Sequence, residues 1–403
     1  MKKLFYTLAF MLIVHFTINI DNCEAQWVQA SNGIFTSMNI YSFTSLGSNI
    51  FTGSDSGVYI STNTGISWTK TSLNNKIVYS LATLGSVVYA GTGSSGVYSS
   101  ANNGTNWIQS SLNNQTVYAL TINGNNIFAG ASGNGVYLST NNGTNWTQTN
   151  LGSHTVISFT VSGGNIYAGT SLAGIYRSTN NGTNWAQTTL NNLSIKSLVS
   201  ISSYIFAGSY SLINPTGIYR STDGGIWTSF GLSSINVLSL AVSGNNIFAG
   251  TDNGLYLSNN NGTTWFIKNQ GFSTVPHMEA FFIAENFVFA GTQGESIWRR
   301  SLMEVIGIKS ISTEIPSEYS LSQNYPNPFN PSTNIRYEIP KNGNVKIVVI
   351  DDLGREVETL VNENQTAGTY ETTFNASQYP SGVYLYRLIS DNFNETKKMI
   401  LLK

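Results

Sequence analysis

The sequence predicts an all-β protein: a seven-bladed β-propeller followed by a small β-sandwich. Three observations carry that prediction. Trp68, Trp107, Trp146 and Trp185 each fall 39 residues after the last, with Trp27 before the series and Trp227 and Trp265 after it. A second marker runs in step, Gly53, Gly91, Gly130, Gly169, Gly208, Gly250 and Gly291, each behind an aromatic and a small residue. Composition changes at residue 304: residues 26–303 hold 8 Lys/Arg and 6 Asp/Glu, and the last hundred hold 9 and 12.

Residues 1–25 read as a signal peptide. Lys2 and Lys3 precede the apolar run Leu4 to Ile18, and Cys23-Glu24-Ala25 sets cleavage before Gln26. A membrane anchor would need about 20 apolar residues, and Ile20-Asp21-Asn22 lacks the character of a lipobox. Cys23 is the only cysteine, so the mature chain has no disulfide framework and no thiolate metal site.

Each repeat holds four strand-like runs between Gly/Asn/Ser clusters. In one unit these are Thr116 to Ile122, Asn126 to Gly130, Gly135 to Ser139 and Trp146-Thr147-Gln148. Four antiparallel strands per repeat of about 40 residues make a propeller blade. Trp27-Val28-Gln29 matches a fourth strand with no first three before it, and the last repeat stops after its third at Ser296-Ile297-Trp298-Arg299. The N-terminal strand should therefore complete the last blade.

Between third and fourth strands stand six boxes. Ser61, Asn63, Gly65 and Trp68 mark the first; Ser100, Asn102, Gly104 and Trp107 the second; Ser139, Asn141, Gly143 and Trp146 the third. Ser178, Asn180, Gly182 and Trp185 follow, then the shortened Ser221, Asp223, Gly225 and Trp227, then Ser258, Asn260, Gly262 and Trp265. The pattern resembles the Asp-box (BNR-type) repeat of sialidases and related propellers, over residues 27–303. The residues specify a turn: Asn or Asp bonds the backbone two residues on, Gly takes φ > 0, and Trp seats the return strand. Five of the six acidic positions are Asn, so the boxes read as structural and as poor cation sites. The recurring Asn-Gly-Thr is part of the box, despite its likeness to a glycosylation sequon.

Composition narrows the function. Charged residues are 10% of the chain and the formal net charge is −1, which excludes the basic footprint of a nucleic-acid binder. The resemblance to sialidases implies an arginine clamp near the axis. Arg177, Arg220 and Arg299 instead sit on third strands at the box end. As alternative acids, Asp55, Asp252 and Glu295 fall in second-to-third connections of blades 1, 6 and 7, neighbours once the ring closes, and are weak catalytic candidates. His154 and His277 lie halfway round the ring from each other, so no metal site and no cofactor is expected. At the second position of the innermost strands stand Tyr41, Tyr79, Tyr118, Ile157, Lys196, Leu238 and Glu279. Tyr41, Tyr79, Tyr118, Lys196 and Glu279 are the weak binding candidates, on the face opposite the boxes. No Ser-His-Asp arrangement or phosphate-binding Gly loop emerges.

Residues 304–318 read as a linker. Asn324-Tyr325-Pro326-Asn327-Pro328-Phe329-Asn330-Pro331 is rigid and extended, and alternating runs after it fit a seven-stranded sandwich. With Ser381-Gly382-Val383-Tyr384 and Lys397-Lys398-Met399-Ile400, this segment resembles the type A C-terminal sorting domain of the type IX secretion system, with an immunoglobulin-like sandwich over residues 319–403. The resemblance implies type IX secretion machinery as partner, passage through the periplasm, and a secreted or cell-surface destination. Three functional readings follow: a non-catalytic recognition propeller for glycan or protein, a glycoside hydrolase or lyase, and an assembly scaffold.

Overall fold

A computed structural model describes residues 26–312 and 314–403; the signal-peptide reading lies outside the described residues. Seven four-stranded antiparallel sheets form the propeller, with innermost strands Ile40–Leu46, Val78–Leu84, Val117–Asn123, Val156–Ser162, Ser194–Ile201, Val237–Ser243 and Met278–Ala284. Adjacent innermost strands pack all the way round, blade 7 against blade 1 included. Val28–Gln29 pairs with Ile297–Ser301 as the outer strand of blade 7, as the sequence predicts.

The repeated glycine and the aromatic two residues before it both make contacts between blades. A Cβ on Gly130 would lie 2.7 Å from Val156 Cγ1, the start of the next innermost strand; one on Gly91 would lie 2.8 Å from Val117 Cγ1. Only a residue without a side chain allows two blades to approach so closely. The aromatic two residues earlier faces the same neighbouring blade. Phe128 of blade 3 fills the space beside box residue Gly182 of blade 4, and Phe206 that beside Gly262. One blade therefore presents its box glycine to the blade before it and receives a β-branched or aliphatic residue from the blade after it.

Within each box, Ser Oγ accepts from the Gly N–H and donates to Asn Oδ1. For the third box, Gly143 N–H to Ser139 Oγ is 2.9 Å and Ser139 Oγ to Asn141 Oδ1 is 3.0 Å. The expected bond to the backbone two residues on occurs only at Asp223, whose Oδ1 accepts from Gly225 N–H at 2.8 Å. In the longer boxes the Asn carbonyl accepts from four residues on, as from Asn145 N–H to Asn141 Oδ1 at 2.9 Å. The extra residue makes room for two successive positive-φ positions, Asn142 and Gly143, where the short box uses Gly224 rather than Gly225.

The C-terminal domain is two packed four-stranded sheets. Eight strands replace the expected seven because the stretch read as a linker contributes one. Leu302–Val305 forms a helical turn, and Ile308–Ser312 pairs with Gly368–Asn375. The sandwich rests on the box end of blades 6 and 7. Its Glu363, 8% exposed, accepts from Asn246 Nδ2 at 2.8 Å and from Ser243 Oγ at 3.3 Å. A cleft of about 600 Å³ beside this contact is lined by Glu285, Asn286, Met303 and Asn362.

Candidate functional site

The face opposite the boxes is built by one irregularity repeated seven times. Every innermost strand slips register near its start, between Ile40 and Ser42 in blade 1 and at the equivalent place in the other six. The skipped residues are Tyr41, Tyr79, Tyr118, Ile157, Lys196, Leu238 and Glu279. A β-bulge leaves one residue without a cross-strand partner and re-aims its side chain. Seven bulges at one height thus raise seven side chains in a ring at the mouth of the axis.

The ring is not uniform. Tyr41 and Tyr79 lie with ring centroids 5.2 Å apart, and Tyr79 and Tyr118 4.8 Å apart, an aromatic arc over blades 1 to 3. Burial, then Asp55, Tyr79 and Glu279, push the Tyr41 hydroxyl above its ordinary value, against a hydrogen bond from Asn39. Burial and then Tyr118 do the same to Tyr79. The three tyrosines offer O–H groups beside flat apolar faces. Exposed Lys196 lies over Tyr210 at 5.3 Å. Leu238, by contrast, is buried.

The three candidate acids are each engaged within their own blade. Asp55 Oδ2 accepts from the Asn39 N–H at 3.3 Å, Asp252 Oδ2 from Asn236 Nδ2 at 2.9 Å, and Glu295 Oε1 from Thr274 Oγ1 at 2.6 Å. All three tie a second-to-third loop to the connection entering the same blade. His154 Nε2 lies 3.0 Å from Tyr176 Oη. Among the described residues, no group of three or more His, Cys, Asp or Glu is arranged to hold a metal ion.

Sequence reasoning missed what the arginines do. Arg177 donates to Asp223 O at 3.2 Å, Arg220 to Asn261 O at 3.3 Å, and Arg299 to Thr64 O at 2.6 Å. Each reaches from its third strand to the box of the following blade. These side chains clamp blades together at the box face, away from the bulge ring.

The motifs of the C-terminal segment converge on one edge. Asn327 Oδ1 accepts from Ile400 N–H at 3.0 Å. Buried Phe329 exchanges backbone bonds with the last strand, donating to Ile400 O and accepting from Leu402 N–H, both at 3.0 Å. Asn324 Nδ2 donates to Thr333 Oγ1 at 2.9 Å. Gly382 and Tyr384 stand opposite Leu401 and Met399, while Lys397 and Lys398 stand opposite Tyr386 and Leu385. The Asn/Pro run is thus a clip around the C-terminal strand. Residues 323–402 match the family model described as "Secretion system C-terminal sorting domain".

The chain carries a type IX secretion sorting domain. That domain implies handling by the type IX machinery and export to the cell surface or beyond it. Among the described residues, no helix is long and apolar enough to cross a membrane. A search of curated proteins found no match.

Solved structures similar to this chain support the propeller fold. The extracellular domain of BT4673, described as a putative one-component system from B. thetaiotaomicron, is 19% identical with a TM-score of 0.58, covering 83% of this chain and 47% of that one. The sorting-domain chain therefore spans about half the length of that relative. Virginiamycin B lyase from Staphylococcus aureus is 12% identical, TM-score 0.56, covering 69% of this chain and 98% of its own. YCF48 bound to D1 peptide is 16% identical, TM-score 0.54, with 70% and 96% covered. At these identities the likeness concerns fold alone.

Proposed function

We propose that this protein is an exported, non-catalytic recognition propeller, delivered through its sorting domain and binding its ligand on the bulge-ring face. Residues 1–25 act as its signal peptide, and the six boxes are the structural turns of an Asp-box type propeller. The observation that carries the reading is the tyrosine arc. Three bulged tyrosines with their tilted rings packed together and half-exposed form a surface that stacks on a ligand and hydrogen-bonds it. The sandwich sits at the box end of blades 6 and 7, so a ligand on the ring face meets no obstruction from it.

The enzyme reading has less support, because Asp55, Asp252 and Glu295 each spend a carboxylate oxygen on holding a loop. YCF48 was solved with a peptide bound, which keeps a polypeptide ligand, and with it a scaffold role, within the recognition reading. The test is capture of polysaccharides and peptides by the full chain and by Tyr79→Ala. The reading requires saturable capture that the variant weakens about tenfold or more; capture unaffected by the variant would remove the ring from the site.

A further inference from the structure

The ring face carries two surfaces that the tyrosine arc does not explain. The first is apolar. Leu172 in the second-to-third loop of blade 4 is 80% exposed, and Leu212 and Ile213 in the same loop of blade 5 are 86% and 85% exposed. Blade 5 is the one blade whose loop is lengthened here, by the insertion around Ser211-Leu212-Ile213-Asn214-Pro215. Phe35, at 76%, and Val275, at 46%, add apolar surface from the connections entering blades 1 and 7. Side chains presented to water in this way on one face mark an interaction surface rather than scattered exposure.

The second surface is acidic. Asp252, Glu279 and Glu295 follow one another through blades 6 and 7; Asp55 continues the series on blade 1, where Lys70 Nζ donates to Ser56 Oγ of the same loop at 3.0 Å. Two further cations stand on other blades: Lys76 bonds Ser95 Oγ at 3.2 Å on blade 2, and Lys196 lies over Tyr210 on blade 5. Blades 6 and 7 therefore form an acidic sector, with the apolar loops of blades 4 and 5 beside it.

We infer that the ring face binds a polypeptide segment that is both basic and apolar. The inference rests on the recognition reading above and names its ligand class. A hydrated glycan stacks well on tyrosines, but it offers little to Leu172, Leu212 and Ile213, whose burial requires an apolar partner. A purely apolar partner would take the acids of blades 6 and 7 out of water without a counter-charge. A segment with Lys or Arg among Leu, Ile or aromatic residues satisfies both, placing cations on blades 6 and 7 and apolar side chains on blades 4 and 5.

The experiment is selection of a random peptide display library on the full chain, with a polysaccharide array run in parallel. Selected peptides should be enriched in Lys and Arg together with Leu, Ile and aromatic residues. Leu212→Ser combined with Ile213→Ser should weaken them about tenfold or more. Asp252→Asn with Glu295→Gln should weaken them and flatten their salt dependence. Leu212 and Ile213 are solvent-exposed, so their replacement keeps the fold, and Asn and Gln retain the oxygen acceptors that Asp252 and Glu295 present to Asn236 and Thr274. Selected peptides lacking basic residues, or binding both variants as they bind the parent, would overturn the inference. Glycan capture that depends on Tyr79, without peptide selection, would overturn it while leaving the recognition reading intact. Failure of both ligand classes would defeat both.

Discussion

Gly291 of blade 7 and Ile40 of blade 1 close the ring. A Cβ on Gly291 would lie 2.5 Å from Ile40 Cγ2, so the seam between last and first blades has the same tight approach as the six internal ones. Gly291→Ala forces that seam apart. Overpacking of this kind costs roughly 1–3 kcal/mol, read as a lower midpoint of thermal or urea unfolding. An unchanged midpoint would mean that the blades there have room to separate.

Trp27 holds the other half of the closure. It is buried, its Nε1 donates to Lys268 O at 2.8 Å, and it stacks on Phe272 at 5.2 Å. Trp27→Ala should cost about 3–5 kcal/mol, with hydrogen exchange accelerating first in Ile297–Ser301, the strand that Val28–Gln29 covers. Uniform acceleration over all seven blades would contradict a local latch.

The box serine is worth more than its small size suggests. Ser139→Ala leaves the buried Gly143 N–H without its acceptor, and an unsatisfied buried donor costs about 1–3 kcal/mol. Ser139→Ala should therefore lower the unfolding midpoint, whereas exposed Thr140→Ala next to it should not. Equal effects at the two positions would show that the turn does not depend on this bond.

How much of this was legible follows from how local each signal is. Trp146 and Gly130 recur at fixed spacing because every seam repeats the same contact, so repeat number and closure could be read from the chain. The bulges could not, because an extra residue such as Tyr118 between Val117 and Ala119 leaves the apolar run unchanged while shifting its partners. The short run Ile308–Ser312, with one buried residue, gave too little alternation to distinguish a strand from a linker. Arg177 was visible, but its acceptor lies 46 residues away in another blade. Glu363 and Asn246, 117 residues apart, carry no local mark at all.

That last pair makes docking of the two domains depend on pH. Burial pushes the Glu363 carboxyl above the ordinary glutamate range, against hydrogen bonds from Asn246 and Ser243 that lower it. The docked state therefore holds a proton more tightly than the undocked state. Docking should be firmest below the ordinary glutamate pKa of about 4.3 and weaken as pH rises through the docked value. Small-angle scattering across this window should report compaction on acidification, and Glu363→Gln should reduce the change. Expansion on acidification would reverse the sign and exclude a buried carboxylate as its cause.

The central claim is that the bulge ring recognises a ligand without transforming it. The most direct measurement uses the parent chain and a Tyr41→Ala, Tyr79→Ala, Tyr118→Ala variant on arrayed peptides and polysaccharides, with each bound ligand recovered and weighed by mass spectrometry. The account predicts ligands retained by the parent, recovered intact, and lost by the variant. Cleaved ligands, or retention equal in both proteins, would contradict it.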